Sequence, residues 1–429
     1  MIARLRKLES DNTPIRVGLV GAGSMGLGVA LQVLQTPGME LAFIADHNQD
    51  VIDAALSLLG LAKDKVHSDV DAYHAMDHCG GFQVLVESTN CIAPAYGYCA
   101  AAMMRGAHVV LMNAEVDLAF GPLLQRCAAQ NGVVCTSDAG DQHGVLMRMI
   151  DEICLWGFKI VQAGNIKGFH DRYATAESLA HEAAIRHLDP VQCCAYTDGT
   201  KLNIEMALLA NGTGLVPAQR GMIGPRCDSV HDVFDAFDLN ALPSEGAVDY
   251  ILGAEPGGGV YVIGHCDQPI QQRYLNYYKL GEGPYYLFYR PYHLCHLETT
   301  RAIAYAFLDS RAILRPIQRP IADVYAFAKK PLRKGDTISH GIGGDECYGL
   351  IDLCSVGNTE RLAPIWLLEG EAGSCVTLVE DKEIDEAITL DDLSFPETTL
   401  LSLWNDQRSF LAGSSFKVIQ GQQSSPSGA

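Results

Sequence analysis

Residues 15–35, IRVGLVGAGSMGLGVALQVLQ, constrain the fold more than any other stretch of the chain. The apolar run Ile15 to Val20 predicts a strand; Gly21, Gly23 and Gly26 follow, with Ser24 and Met25 among them, and a helical pattern continues through Leu34. Each glycine has its own duty in a dinucleotide-binding turn. Gly21 makes the tight bend, Gly23 lets backbone N–H groups approach a pyrophosphate, and Gly26 lets the helix pack closely on its strand. A second apolar run, Glu40 to Ala45, ends in Asp46, 20 residues past Gly26. A carboxylate there accepts hydrogen bonds from the adenosine ribose and repels a 2′-phosphate. The expected cofactor is therefore NAD or NADP, with NAD preferred because His47 and Asn48 follow where an arginine would favour the phosphate.

Further apolar runs at 83–89 (QVLVEST), 107–113 (AHVVLMN) and 132–138 (GVVCTSD) alternate with helix-length segments. Such alternation predicts an α/β chain with a Rossmann-type doubly wound parallel sheet, whose ligands sit at the carboxyl ends of the strands. Those ends carry Thr89 and Asn90, then Asn113 and Glu115, which are expected to face the cofactor, and then Asp141, expected to face the substrate. Ordinary turn chemistry competes with that reading at each position taken singly. At 429 residues the chain exceeds what one core supports. The expected division is a dinucleotide-binding unit at 1–145, an α+β substrate-binding and dimerisation unit at 146–319, a small β-rich module at 320–415 beyond Pro316 and Pro320, and a polar disordered tail at 416–429.

The stretch YTDGTKLNIEMALLANGTGLVP (196–217) predicts a short helix between two glycine turns, apolar almost all round yet carrying Lys201 and Glu205. These two share a face as i,i+4 neighbours. A buried ammonium needs a partner or loses its charge, so the bland reading is a local ion pair or a lysine reaching for solvent. The functional reading makes Lys201 the group that stabilises and protonates an alkoxide during hydride transfer, with Glu205 favouring its charged form. Asp198 is either a third catalytic group or a helix N-cap. Lys167, Arg226, Arg290 and His293, with Asp141, are the expected substrate contacts.

The acidic excess, 51 Asp and Glu against 31 Lys and Arg, argues against a nucleic-acid partner, which would need clustered cations. No apolar run is long enough to cross a membrane and no signal peptide is read, so a cytoplasmic protein with a small-molecule substrate is expected. The 14 cysteines are scattered and read as reduced thiols. The run His293-Leu294-Cys295-His296 lacks a second ligand pair at zinc-site spacing, and no metal is expected. The aromatic run around Tyr285 to Tyr292 is compatible with a homodimer interface.

Several stretches together resemble a known family: GAGSMG, MNAEVDLAFGPLL, DAGD, TDGTKLNIEMALLANGTGLVP, GPRCD, GPYYLFYRPYHL and AFAKKPLRKGDTI. They resemble homoserine dehydrogenase-like oxidoreductases with a C-terminal SAF domain. That group includes deoxyxylulose-phosphate reductoisomerase-like enzymes, which convert deoxyxylulose 5-phosphate to methylerythritol phosphate with NADPH. The resemblance implies an N-terminal dinucleotide domain, a central domain for substrate and subunit contact, and an SAF-like module. Two departures bear on substrate and cofactor. Homoserine dehydrogenases carry a lysine after the strand-end asparagine, where this chain has Ala114 and Glu115, and the reductoisomerase-like members carry arginines where Asp46-His47-Asn48 stands. The leading expectation is an NAD(P)-dependent oxidoreductase acting on a small polyhydroxy or phosphorylated carbonyl or alcohol. The alternatives are a reductoisomerase and a non-catalytic, NAD(P)-binding regulatory protein.

Overall fold

In a computed structural model of the chain, the described residues are 1–413 without 63–64, 187, 317–318 and 372–373. The tail expected at 416–429 lies outside them. Six strands, β1 (Ile15–Val20), β2 (Met39–Ala45), β3 (His67–Asp69), β4 (Val84–Glu87), β5 (His108–Leu111) and β6 (Cys135–Ser137), form a parallel sheet in the order β3-β2-β1-β4-β5-β6. This is the doubly wound Rossmann arrangement, with the order reversing beside β1. Ile15, Val17, Leu19, Val84, Leu85 and Val86 are buried, as expected where helices cover both faces of a parallel sheet. Pairing stops short of the apolar runs seen in the sequence, because the residues beyond β4 bend into side-chain bonds: Glu87 Oε1 accepts from the Thr89 backbone N–H at 3.0 Å. Strand β3, only His-Ser-Asp, carries no apolar signal.

A second sheet has the order β11-β10-β7-β9-β8, built from β7 (Lys159–Lys167), β8 (Val216–Pro217), β9 (Ala247–Leu252), β10 (Val260–His265) and β11 (Tyr285–Arg290). Strand β10 runs antiparallel to β7 and β11, while β7 and β9 are parallel. The helix Cys295–Asp309 then returns to the first sheet and packs on helix Ser24–Gln35. The approach is close enough that a Cβ at Gly28 would stand 2.5 Å from the His296 ring. Ser137 N–H donates to Leu314 O at 3.0 Å, so residues assigned from sequence to the middle unit complete the layer over the first sheet.

Beyond Pro320, strand Ala322–Ala328 pairs antiparallel with Cys347–Leu353, and three short strands form a separate sheet. The segment Ile365–Leu368, within the module expected to be β-rich, is a 3-10 turn. The antiparallel pair lies against helix Thr200–Thr213, whose polar side chains bond its backbone. Gly349 N–H donates to Thr200 Oγ1 and Ile351 N–H donates to Asn203 Oδ1, each at 2.9 Å. Asn211 Oδ1 accepts from Ile321 N–H at 2.8 Å, and its amide donates to Ala322 O at 3.0 Å. Three of the buried polar residues of this helix thereby bond the backbone of the strands packed on it. Helix Ala114–Asn131 kinks at Phe120, two residues before Pro122, and the buried Gln407 of the last helix donates to the Ala119 carbonyl at 2.6 Å. The 14 cysteines are free thiols, and among the described residues no helix is long and apolar enough to cross a membrane.

Candidate active site

The glycine turn has the geometry its spacing predicts. Gly21 has φ +91°, and a Cβ there would stand 2.7 Å from the Ser88 carbonyl carbon; at Gly26 a Cβ would meet Gly21 O at 1.9 Å. Gly23 instead faces open space, and a Cβ there would have nothing within 4 Å. Asp46 is fixed at the end of β2, where Oδ2 accepts from Ala22 N–H at 2.9 Å and Oδ1 from Asn48 N–H at 3.0 Å. Its carboxylate thus closes one side of the turn.

From this turn a cavity of about 510 Å³ runs along the strand ends past Thr89, Asn90 and Asn113 to Glu115 and Lys201. Ser24, Met25 and Asp46 line it as well; Gly26 lies behind the turn, in the helix–strand contact. The Asn113 side chain is committed to structure, since Oδ1 caps helix Ala114–Asn131 by accepting from Val116 N–H at 3.1 Å and Nδ2 donates to Cys91 O at 2.6 Å. Behind the wall sits Glu87, fully buried, its carboxyl pushed up to about 8 by burial.

Lys201 answers to a different carboxylate from the one expected. Its Nζ donates to Glu115 Oε1, and both side chains are nearly buried, 10% and 5% exposed. Burial alone would lower the lysine's pKa. The Glu115 charge overcomes that, helped by Tyr196 and Asp141, and holds Lys201 above its ordinary value as an ammonium. The same ammonium sits 5.6 Å over the Tyr196 ring. Its charge pulls the Tyr196 phenol down, while burial with the Asp141 and Glu115 charges pushes it up to about 12.

Glu205, one turn further on, is not the ion-pair partner of Lys201. It is buried, accepts weakly from Asn165 Nδ2 at 3.4 Å, and burial followed by the Asp141 charge raises its carboxyl well above the ordinary range. Lys167 lies on the same side: burial lowers its pKa against the Glu205 and Asp198 charges, and its Nζ donates to Tyr196 O at 2.8 Å.

Asp198 turns away from the cavity. It pairs with Lys329 of the C-terminal module at 2.8 Å, with both side chains buried, and accepts from Thr200 N–H at 2.8 Å. That is a structural clamp at the start of the helix, whose N-cap is Gly199. Arg290 is likewise engaged, 2.9 Å from Glu298, which also binds Arg148 at 2.6 Å, and it stacks on Tyr292. Arg226 is exposed, beside Leu252 in a backbone bridge. Asp141 caps helix Gln142–Leu155, and His293 reaches its first turn, 3.1 Å from Gln142 Nε2. Burial acts to raise the Asp141 carboxyl, but His143, His293 and Lys201 together bring it below the ordinary value.

Several residues of the site carry no readable sequence signal. Tyr196 and Gln192 wall the cavity from helix Pro190–Thr197, and His143 is buried with Nδ1 unpartnered. Lys329 approaches from a residue 131 positions beyond Asp198. Glu87 had a signal, a polar end to an apolar strand.

Comparison with solved structures finds low-identity matches. A homoserine dehydrogenase from Thiobacillus denitrificans is 16% identical over 79% of this chain and 91% of its own, with a TM-score of 0.43. A hyperthermophilic archaeal homoserine dehydrogenase in complex with NADPH is 13% identical over 69% and 98%, with a TM-score of 0.42. The Bacillus subtilis protein yvaA is 15% identical over 38% of this chain and under half, 45%, of its own length, with a TM-score of 0.28. No curated protein matches the chain. Residues 140–299 match the family model described as "Oxidoreductase DRL, catalytic domain", so the segment that carries Asp141, Lys167, Lys201, Glu205 and His293 is similar to the catalytic domain of an oxidoreductase.

Proposed function

We propose that this chain is an NAD(P)-dependent oxidoreductase that moves a hydride between the nicotinamide and a small polyhydroxy or phosphorylated carbonyl or alcohol. The observation that carries the reading is one cavity with the glycine turn at one end and the Lys201–Glu115 pair at the other. Hydride transfer to a carbonyl builds negative charge on its oxygen, and a preorganised ammonium in a water-poor cleft stabilises that charge and supplies the proton. Glu115 makes Lys201 a donor; it does not make a ready base. Lys167 and His293 remain the proposed contacts for a polar or anionic substrate, although neither lines the cavity around the amine. The Asp46 carboxylate favours NAD over NADP.

The test is turnover at the nicotinamide absorbance with a panel of sugar acids, polyols and keto-phosphates, beside NADH binding by fluorescence. Binding with no turnover across the panel would favour the regulatory reading. The reductoisomerase reading draws on the sequence resemblance, parts of which fall within residues 140–299, the segment of the family match; deoxyxylulose 5-phosphate yielding no methylerythritol phosphate with either reduced cofactor removes it.

A further inference from the structure

The run around His293 gains in space what it lacks in sequence. Asp141, His293 and Cys295 each offer a donor atom, and these atoms all lie within 4.8 Å of one another. Cys295 Sγ is 3.5 Å from His293 Nδ1 and 3.8 Å from Asp141 Oδ1. The third ligand comes from 152 residues upstream, at the end of the loop after β6, so no local spacing rule finds it.

The surroundings fit a metal-binding imidazole. His293 Nε2 is 3.1 Å from the Gln142 amide, which in turn contacts Asn165, and Asn165 Oδ1 is buried without a partner. Oxygen and nitrogen of such amides exchange places by a half-turn. With both amides turned, the Gln142 amide donates to the Asn165 oxygen, and the Asn165 nitrogen takes the place of its unpartnered oxygen. The Gln142 oxygen then accepts from His293 Nε2–H. This leaves the Nδ1 lone pair beside the thiol and the carboxylate. A ligating histidine whose other nitrogen is held by an outer hydrogen bond is the usual arrangement at a metal.

We propose that Asp141, His293 and Cys295 bind a divalent transition metal of the zinc class, leaving an open coordination position for an oxygen of the substrate. One nitrogen, one sulfur and one carboxylate oxygen are a borderline-soft set that suits zinc or cobalt rather than magnesium or calcium. Three protein ligands are the number at which a tetrahedral ion keeps its fourth position free. On binding, bonds form from the metal to Nδ1, Sγ and a carboxylate oxygen, and the thiol proton leaves to solvent. Two anionic ligands then balance the ion's charge, and the Lys201 ammonium nearby is already matched by Glu115. The substrate role rests on the oxidoreductase reading; the metal site itself does not.

The test uses the full chain, stripped with a chelator and titrated with cobalt(II) chloride. One cobalt per chain is expected, with a thiolate-to-cobalt charge-transfer absorption that one equivalent of zinc chloride abolishes. Cys295→Ser should lose that absorption, Cys295→Asp should bind cobalt without it, and His293→Ala should weaken cobalt binding about 10-fold or more. Far-UV circular dichroism reports that each variant is folded. No charge-transfer absorption in the folded chain, or one that persists in Cys295→Ser, overturns the proposal. NADH binding without a cobalt signal sinks the metal site and spares the oxidoreductase reading, whereas a cobalt signal without any NADH binding does the reverse.

Discussion

Lys201 owes its charge to a carboxylate 86 residues earlier in the chain. Because its pKa is raised in the folded protein, the ammonium persists as pH rises. The reductive reaction should therefore show no loss of its proton donor between about pH 7 and about pH 10. Glu115→Gln removes the largest raising influence and leaves burial, which lowers the lysine. Its pH–rate profile for reduction should then gain a falling limb within that window, and a profile identical to wild type would show that Glu115 does not set the charge. Asp46 offers a separate test. Asp46→Ser should weaken NADH binding and shift the NADH-to-NADPH preference about 10-fold toward NADPH, measured as the ratio of kcat/KM for the two cofactors. Both glycine-turn and Asp46 geometry were legible in the sequence because they depend on spacing within one strand–turn–helix unit. The pairing of Lys201 with Glu115 was not: local i,i+4 logic offers only Glu205, and the competing carboxylate arrives through the fold.

Helix Thr200–Thr213 connects the cleft to the rest of the protein. Its start was readable from Asp198-Gly199, but the second turn, read at Asn211-Gly212, falls inside the helix, which runs to Thr213 with Gly214 as its C-cap; its burial on all sides has a cause the sequence hides. Thr200, Asn203 and Asn211 take up backbone groups of the strands at 322–328 and 347–353. Asn203→Ala leaves the Ile351 N–H buried without a partner and should cost about 1–3 kcal/mol, read from urea unfolding; a midpoint equal to wild type would mean that the strand finds another partner. Strand β7 escaped the sequence reading for a related reason. Gln162 and Asn165 interrupt its apolar run, yet both are fully buried, with Gln162 accepting from the Tyr261 hydroxyl at 3.2 Å. Buried polar positions whose partners arrive only through the fold look like loop in a one-dimensional pattern.

At the scale of the molecule, the first sheet supplies the glycine turn, the middle segment supplies the helix with Lys201, and the C-terminal module holds that helix in place. The buried Lys329–Asp198 pair and the Asn203 contact both cross to that module. A chain ending at residue 319 would uncover one side of the helix and strand Asp198 as an unpaired buried carboxylate, so it should give no cooperative thermal transition; a melting curve like that of the full chain would show the module to be dispensable. The parallel sheet was foreseeable from alternating strand and helix patterns, whereas the return of helix Cys295–Asp309 to it was not, since nothing local in that helix says which sheet it covers. On the proposed function, the charged amine of Lys201 acts on the reacting oxygen beside the nicotinamide. The most direct test of this role is single-turnover hydride transfer in Lys201→Met and in Lys201→Met/Glu115→Gln, the double variant avoiding an unpaired buried carboxylate, with NADH affinity measured on the same samples. Hydride transfer should be slowed about 100-fold or more in both variants, with NADH affinity retained in the double variant. Wild-type hydride transfer in either variant would contradict that role.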